Sequence, residues 1–174
     1  MINYKEKLQH ITTFVFDVDG VLTNGNIHIT DNGSLLRTMN IKDGYALKAA
    51  VDLGYNVCII SGGSNDGVQI RLEKLGIKSI FLGVPDKVIV LEKYCTAHNI
   101  LKENILYMGD DLPDFHVMQL VGLPSCPQDS SPEIKKISQY ISHKKGGKGA
   151  VRDVIEQVLK VQNNWLKLYN GSNN

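Results

Sequence analysis

The sequence has no excess of one charge, no cysteine pairing pattern and no long apolar run, and each absence removes a class of function. Its 19 Lys and Arg offset 18 Asp and Glu, leaving a formal charge of +1. Without a broad basic field there is no basis for general binding to nucleic acid or to an anionic membrane, so any anion selectivity must be local. Cys58, Cys95 and Cys126 are odd in number, widely spaced and without a C-x-x-C pair. That argues against both a disulfide framework and a zinc knuckle, and Cys58, inside an apolar run, reads as a small core residue. The first ten residues mix Tyr4, Lys5, Glu6 and Lys7 where a signal peptide would be apolar, and no later stretch approaches the length of a membrane span. A soluble, cytoplasmic protein is expected. His28, His98, His116 and His143 share no metal-site spacing and are assigned surface or packing roles, while His10 lies in the leader.

What is present suits one globular domain over residues 1–174, with 43% hydrophobic and 21% charged residues and no internal repeat or linker. Residues 12–16, 57–60, 79–82 and 105–108 are short apolar runs, each ending near Gly, Asp or Ser, and read as buried parallel strands. Between them residues 44–53, 65–75, 86–98 and 113–121 have helical spacing, three of them stopped by Gly54, Gly76 and Gly122, while Pro113 suits a first helical turn. Alternating strands and helices imply an α/β, doubly wound parallel sheet, with ligands gathering at the carboxyl ends of the strands. Residues 26–30 and 34–39 flank Asp31-Asn32-Gly33 and predict a projecting β-hairpin within about residues 24–41. Residues 130–140 predict a short helix, 139–142 a last strand, about 150–168 an amphipathic final helix and 170–174 a frayed tail.

The chemistry is concentrated in Asp17-Val18-Asp19-Gly20-Val21-Leu22-Thr23, just past the first strand. Two acids one residue apart can both face the crevice there, because Gly20 lets the chain bend; paired carboxylates at a strand end are costly unless a cation sits between them. A D-x-D pair alone reads as a solvated turn. Its sequel decides otherwise: Ser61 after the second strand, Lys87 after the third, and Gly109-Asp110-Asp111 after the fourth. Two sites of carboxylates, a hydroxyl and an ammonium form the set needed to hold a phosphoryl group beside Mg²⁺.

This order resembles the four motifs of the haloacid dehalogenase (HAD) superfamily over residues 12–114. The resemblance implies a Rossmann-like HAD sheet and a phosphatase in which Asp17 is the nucleophile and Asp19 the acid and base. It also implies that Asp17, Asp110 and the main-chain carbonyl of Asp19 bind Mg²⁺, while Ser61 and Lys87 orient and neutralise the phosphoryl oxygens. Asp111 and Asp114 either support the metal shell or cap the helix near Pro113. There is room only for the hairpin where many relatives insert a cap domain, so the enzyme is expected to be essentially capless, its site open unless another subunit closes it.

Within the superfamily, Asn40-Ile41-Lys42-Asp43-Gly44-Tyr45, Gly109-Asp110-Asp111-Leu112 and Gly146-Gly147-Lys148-Gly149-Ala150-Val151-Arg152 resemble the 3-deoxy-D-manno-octulosonate 8-phosphate phosphatases. That family implies a homotetramer whose subunits roof each other's sites, and a sugar-acid phosphate substrate of lipopolysaccharide precursor synthesis. It places Asp19, Asn40, Ile41, Lys42, Asp43, Gly44, Lys48, Gly62, Arg71 and Lys87 around the substrate, and the cations suit a ligand with both carboxylate and phosphate. Two positions depart from the pattern: Gly63, where many relatives carry Arg, and Asn24, where an acid is common. Gly63 leaves a nine-carbon sugar-acid 9-phosphate open as an alternative, and a non-catalytic HAD-like tetramerisation module is the rival of a different class. The complete set of Asp17, Asp19, Ser61, Lys87 and Asp110 speaks against that module, and Gly109-Asp110-Asp111 speaks against a receiver domain. Residues 146–149 lack Walker spacing and read as a mobile linker.

Overall fold

The computed structural model describes residues 4–167, so the tail at 170–174 and the last residue of the expected final helix lie outside the described residues. Six parallel strands form the central sheet: β1 (Thr13–Phe16), β4 (Asn56–Ile60), β5 (Ser79–Phe81), β6 (Ile105–Met108), β7 (Leu123–Cys126) and β8 (Tyr140–Ile141). Their order is β5-β4-β1-β6-β7-β8. The antiparallel hairpin strands β2 (His28–Ile29) and β3 (Leu35–Leu36) stand apart from the sheet. Helices are α1 (Tyr4–Leu8), α2 (Ile41–Asp52), α3 (Asp66–Lys74), α4 (Lys87–His98), α5 (Phe115–Met118), α6 (Pro132–Ile137) and α7 (Ala150–Val161).

Strand residues alternate between the two faces of the sheet, and this divides the core. Phe14 and Phe16 stack at 6.2 Å and pack with residues of α1, α2, α3 and α7, whereas Val15 packs on the other side with Tyr107 and residues of α4, α5 and α6. Both phenylalanines are fully buried, which contributes roughly 1.5–3 kcal/mol each. The strands can be continuous apolar runs because helices cover both faces. β1 lies between β4 and β6, with Phe16 level with Ile59 on one side and Met108 on the other. From β1 the chain builds outward through β4 and β5, then returns across β1 to start β6. That reversal opens a crevice at the carboxyl ends of β1, β4 and β6.

Several elements depart from the sequence-based expectation. β7 was not foreseen, because Pro124 lacks an N–H and argues against a strand. It is tolerated because β8 pairs only with Ser125 and Cys126, while the Pro124 carbonyl still accepts from Gln139 N. The expected helix at 113–121 is reduced to a tight turn, Leu112–Asp114, followed by the four residues of α5. α1 was not anticipated either, and α2 starts at Ile41 rather than at residue 44, with Asn40 as its cap. The final helix stops at Val161. The hairpin has its turn where expected, with Gly33 N bonded to Thr30 O at 2.8 Å, but only two residues per strand. Its side chains are exposed on both arms, and an isolated two-stranded ladder gains little without a buried face.

Candidate active site

Asp17 leaves β1 with its N–H bonded to Met108 O at 3.1 Å, so β6 fixes where the nucleophile candidate begins. The next turn, Val18–Leu22, coils tightly around Asp19 and Gly20, whose φ of 83° lies in the left-handed region that glycine adopts most easily. Gly20 is required for a second reason. A Cβ there would lie 2.0 Å from Asp110 Oδ2, so the two acidic motifs can approach only because position 20 has no side chain. Ser61, 2% exposed, ends β4 and holds the β5 side through Ser61 N to Phe81 O at 2.9 Å and Val84 N to Ser61 O at 3.0 Å. That lacing leads to Asp86, which caps α4 by accepting from Val88 N and Ile89 N.

Lys87 is the first residue of α4, where a cation opposes the helix dipole. Two carboxylates offset that cost. The Lys87 ammonium, 6% exposed, lies 3.1 Å from Asp17 Oδ2 and 2.7 Å from Asp114 Oδ1. Asp114 also accepts from the buried Tyr107 hydroxyl at 2.7 Å and from Asp110 N at 3.2 Å. Asp17, Asp19, Ser61, Gly62, Lys87 and Asp110 line one open cavity of about 300 Å³, which extends to Asp111 and Asp114.

Burial, reinforced by the Asp114 charge and opposed by Lys87, pushes Asp17 up to about 6. Burial and then the charges of Asp17, Asp114 and Asp111 push Asp110 up to about 7. Lys87 moves the other way from a buried amine: burial lowers it, but Asp17 and Asp114 together raise it. Oxygens of Asp17, Asp110 and Asp114 come within 4.8 Å of one another, and the buried Asp17 Oδ1 has no hydrogen-bond partner. A divalent cation fits this set, since it would complete Asp17 and relieve the repulsion. Both Asp114 oxygens already accept hydrogen bonds, so Asp17 and Asp110 are the better ligands and Asp114 supports them. Its carboxylate caps no helix.

Asp19 is one-third exposed and its carboxylate is gripped by Arg37, Nε to Oδ1 at 2.8 Å and Nη2 to Oδ2 at 3.0 Å. Thr23 Oγ1 donates to Oδ1 at 3.3 Å. Arg37, Thr23 and Tyr107 had no role in the sequence reading. Arg37 lies in the hairpin's return arm, read only for its turn, and Tyr107 sits in an apolar strand where its hydroxyl leaves no pattern. The loop at 146–149, expected to be a mobile linker, is held in place. It is packed against the first motif rather than linking freely: Gly147 N donates to Val21 O at 2.9 Å and Gly146 N to Asp129 Oδ1 at 2.9 Å. A Cβ on Gly146 would lie 1.8 Å from Gly20 O.

The expected substrate contacts are less well gathered. Asn40 Oδ1 caps α2 and its Nδ2 reaches Gly147 O at 3.4 Å, while Ile41 and Lys42 are exposed. Asp43 is 1% exposed, and its carboxylate accepts from Gly149 N at 3.2 Å and Arg152 N at 2.7 Å, so it caps α7 from another helix. Both of its carboxylate oxygens are thus engaged at the start of α7. Gly44 lies against Arg71, whose Nη2 would be 2.7 Å from an added Cβ. Arg71 lines a neighbouring cavity of about 360 Å³ with Arg37 and Asn65. Lys48 is half-exposed and pairs with Asp52 instead of reaching either cavity.

The haloacid dehalogenase-like hydrolase family profile matches residues 83–155. The chain is 36% identical over 156 residues to the 3-deoxy-D-manno-octulosonate 8-phosphate phosphatase KdsC of Salmonella typhi, covering 90% of this chain and 83% of that protein. The Moraxella catarrhalis 3-deoxy-D-manno-octulosonate 8-phosphate phosphatase, solved in complex with magnesium ion, phosphate ion and KDO, is 34% identical with a TM-score of 0.92, and the match covers 98% of each chain. The cobalt-bound Haemophilus influenzae deoxy-D-mannose-octulosonate 8-phosphate phosphatase is 29% identical with a TM-score of 0.88, covering 92% of this chain and 95% of that one.

Proposed function

Because the chain belongs to the haloacid dehalogenase-like hydrolases, and among them to the 3-deoxy-D-manno-octulosonate 8-phosphate phosphatases, we propose that it hydrolyses 3-deoxy-D-manno-octulosonate 8-phosphate. The observation that carries the chemistry is the unpartnered, buried Asp17 Oδ1 beside Lys87 and Asp110 in an open cavity. Asp17, Asp110 and the Asp19 carbonyl would hold Mg²⁺, which would supply charge neutralisation for the phosphoryl group and favour ionised Asp17. Lys87, 3.1 Å from Asp17 Oδ2, would steady the carboxylate while one of its oxygens attacks phosphorus. An Asp17 oxygen bonds to phosphorus as the bond from phosphorus to the sugar oxygen breaks, and Asp19 gives its proton to that oxygen. Asp19 then takes a proton from water, whose oxygen attacks phosphorus and releases Asp17 and inorganic phosphate. Ser61 donates to a phosphoryl oxygen throughout, with Lys87 beside it.

The proposal extends to assembly and location. The cavity is open, and the hairpin carries Ile29 at 74% and Leu36 at 53% exposure, with Ile41 at 81% nearby in sequence. Apolar surface of this kind supports a homotetramer in which neighbouring subunits cover the sites. No helix among the described residues is long and apolar enough to cross a membrane, and a cytoplasmic site of action suits a phosphorylated sugar-acid substrate. The test of substrate is kcat/KM measured side by side on the eight-carbon sugar-acid 8-phosphate, nine-carbon sugar-acid 9-phosphates and hexose phosphates. Equal values throughout would reject sugar-acid specificity. Asp17→Asn is expected to abolish phosphate release with the fold intact, and a fully active monomer would contradict the shared roof.

A further inference from the structure

Resting on the reading that Asp17 and Asp110 bind Mg²⁺, we propose that Tyr107 is a positioning residue. Its hydroxyl keeps the Asp114 carboxylate on Lys87 and on the main chain of Asp110, so that both metal-binding acids are held in place. Tyr107 is a fully buried residue of β6, clustered with Val15, Cys58, Leu91, Val117 and Met118. Packing there asks only for a ring. A phenol buried without a partner is costly, and this one finds a single acceptor, donating to Asp114 Oδ1 at 2.7 Å.

Helical spacing brings the three groups together. Leu91 lies one turn after Lys87, and Val117 and Met118 lie one turn after Asp114. Apolar residues around the Tyr107 ring therefore share faces with the two charged residues that meet at its hydroxyl. Asp114 Oδ1 accepts from Tyr107 and from Lys87 Nζ, both at 2.7 Å, and Oδ2 accepts from Asp110 N at 3.2 Å. A carboxylate oxygen has two in-plane lone pairs, so Tyr107 and Lys87 together saturate Oδ1. That saturation matters because oxygens of Asp114, Asp17 and Asp110 come within 4.8 Å of one another. Without the hydroxyl, Oδ1 has a lone pair to spare and the carboxylate can turn toward a cation. Turning would draw Lys87 from Asp17 Oδ2, now 3.1 Å away, and release Asp110 N. Gly109 completes the seat, since a Cβ there would lie 2.4 Å from Asp114 Cγ. The glycine admits the carboxylate and the hydroxyl fixes its orientation. Tyr107 does not line the cavity, so its influence passes through Asp114.

Tyr107→Phe removes the hydroxyl and keeps the ring. Mg²⁺ is titrated calorimetrically into the folded, substrate-free protein, and kcat/KM on the sugar-acid phosphate is measured beside it. Partners that orient metal ligands from behind are worth roughly 10–100-fold, so Kd for Mg²⁺ should rise, and kcat/KM fall, by about 10-fold or more. 4-Aminophenylalanine at position 107 returns an N–H donor to the same ring and should bring Kd back to within about 3-fold of wild type. 4-Methylphenylalanine fills the hydroxyl's space without a donor. It should weaken Mg²⁺ as Phe does, and it carries the test if Tyr107→Phe does not fold. In an Asp114→Ala background, Tyr107→Phe should change Kd by less than about 2-fold, because the residue it acts through is gone. A lower Tm with Kd and kcat/KM unaltered, or the same loss with and without Asp114, overturns the proposal. If wild type binds Mg²⁺ and Tyr107→Phe binds it equally well, only the role of Tyr107 fails. Turnover by Asp17→Asn, or no Mg²⁺ binding by wild type, sinks the underlying reading instead.

Discussion

Replacing Lys87 by Met removes an ammonium that contacts both Asp17 and Asp114 while keeping much of its buried aliphatic volume. At about 3 Å each contact contributes on the order of 5 kcal/mol of Coulomb attraction at an effective dielectric of ~20, before desolvation is subtracted. Breaking a buried pair from one side costs about 3–5 kcal/mol in practice, and for a chain of this size that corresponds to a fall in Tm of roughly 6–20 °C. The loss must depend on pH. Asp17 and Asp110 already titrate at about 6 and about 7 because of burial, and removing Lys87 takes away an influence that lowers both. At about pH 5 they are largely neutral and need no counter-charge, whereas at about pH 8 they are ionised and repel one another. Urea titrations of metal-free wild type and Lys87→Met at the two pH values read the difference. The variant should lose most of the 3–5 kcal/mol at the higher pH and much less at the lower, and Mg²⁺ should recover more stability in the variant than in wild type. Equal losses at both pH values would show that Lys87 acts through packing, and would refute the charge argument.

Three further outcomes are expected. Asp43→Ala, losing the cap on α7, should destabilise by about 0.5–2 kcal/mol with KM unchanged; a raised KM with unaltered Tm would restore Asp43 to the sugar site. Gly146→Ala forces a methyl group into Gly20 O, costing about 1–3 kcal/mol and, by displacing the Asp17–Asp19 turn, lowering kcat by up to roughly 100-fold. An active, stable Gly146→Ala enzyme would show that residues 144–149 do not brace the turn. Finally, the raised Asp17 and Asp110 keep protons that the unfolded chain has released, so their contribution to metal-free stability is present below about pH 4 and lost as pH rises through about 6 to about 7. Mg²⁺ competes with those protons, and thermal shifts on adding it should be large near about pH 8 and small near about pH 5. Equal shifts would place the metal elsewhere.

The sequence by itself determined the strand ends and the order of the reactive groups. Buried parallel strands are short apolar runs, so Asp17, Ser61 and Asp110 could be read as the residues that follow them. Lys87 was legible for the same local reason, next to the Asp86 cap. Local pattern was insufficient where a residue's environment comes from distant chain. Pro124 concealed β7, because only the short reach of β8 makes a proline acceptable there. Tyr107 carries its hydroxyl to Asp114, Arg37 brings a hairpin cation to Asp19 from 18 positions away, and Asp43 spends its charge on a helix 106 to 109 positions further on. The linker reading of residues 146–149 failed because glycine composition has two meanings. It permits motion in an isolated chain, and it permits close backbone contact once another segment is present, as Gly146 meets Gly20. Which meaning applies depends on what lies opposite, and periodicity within one segment carries no record of that.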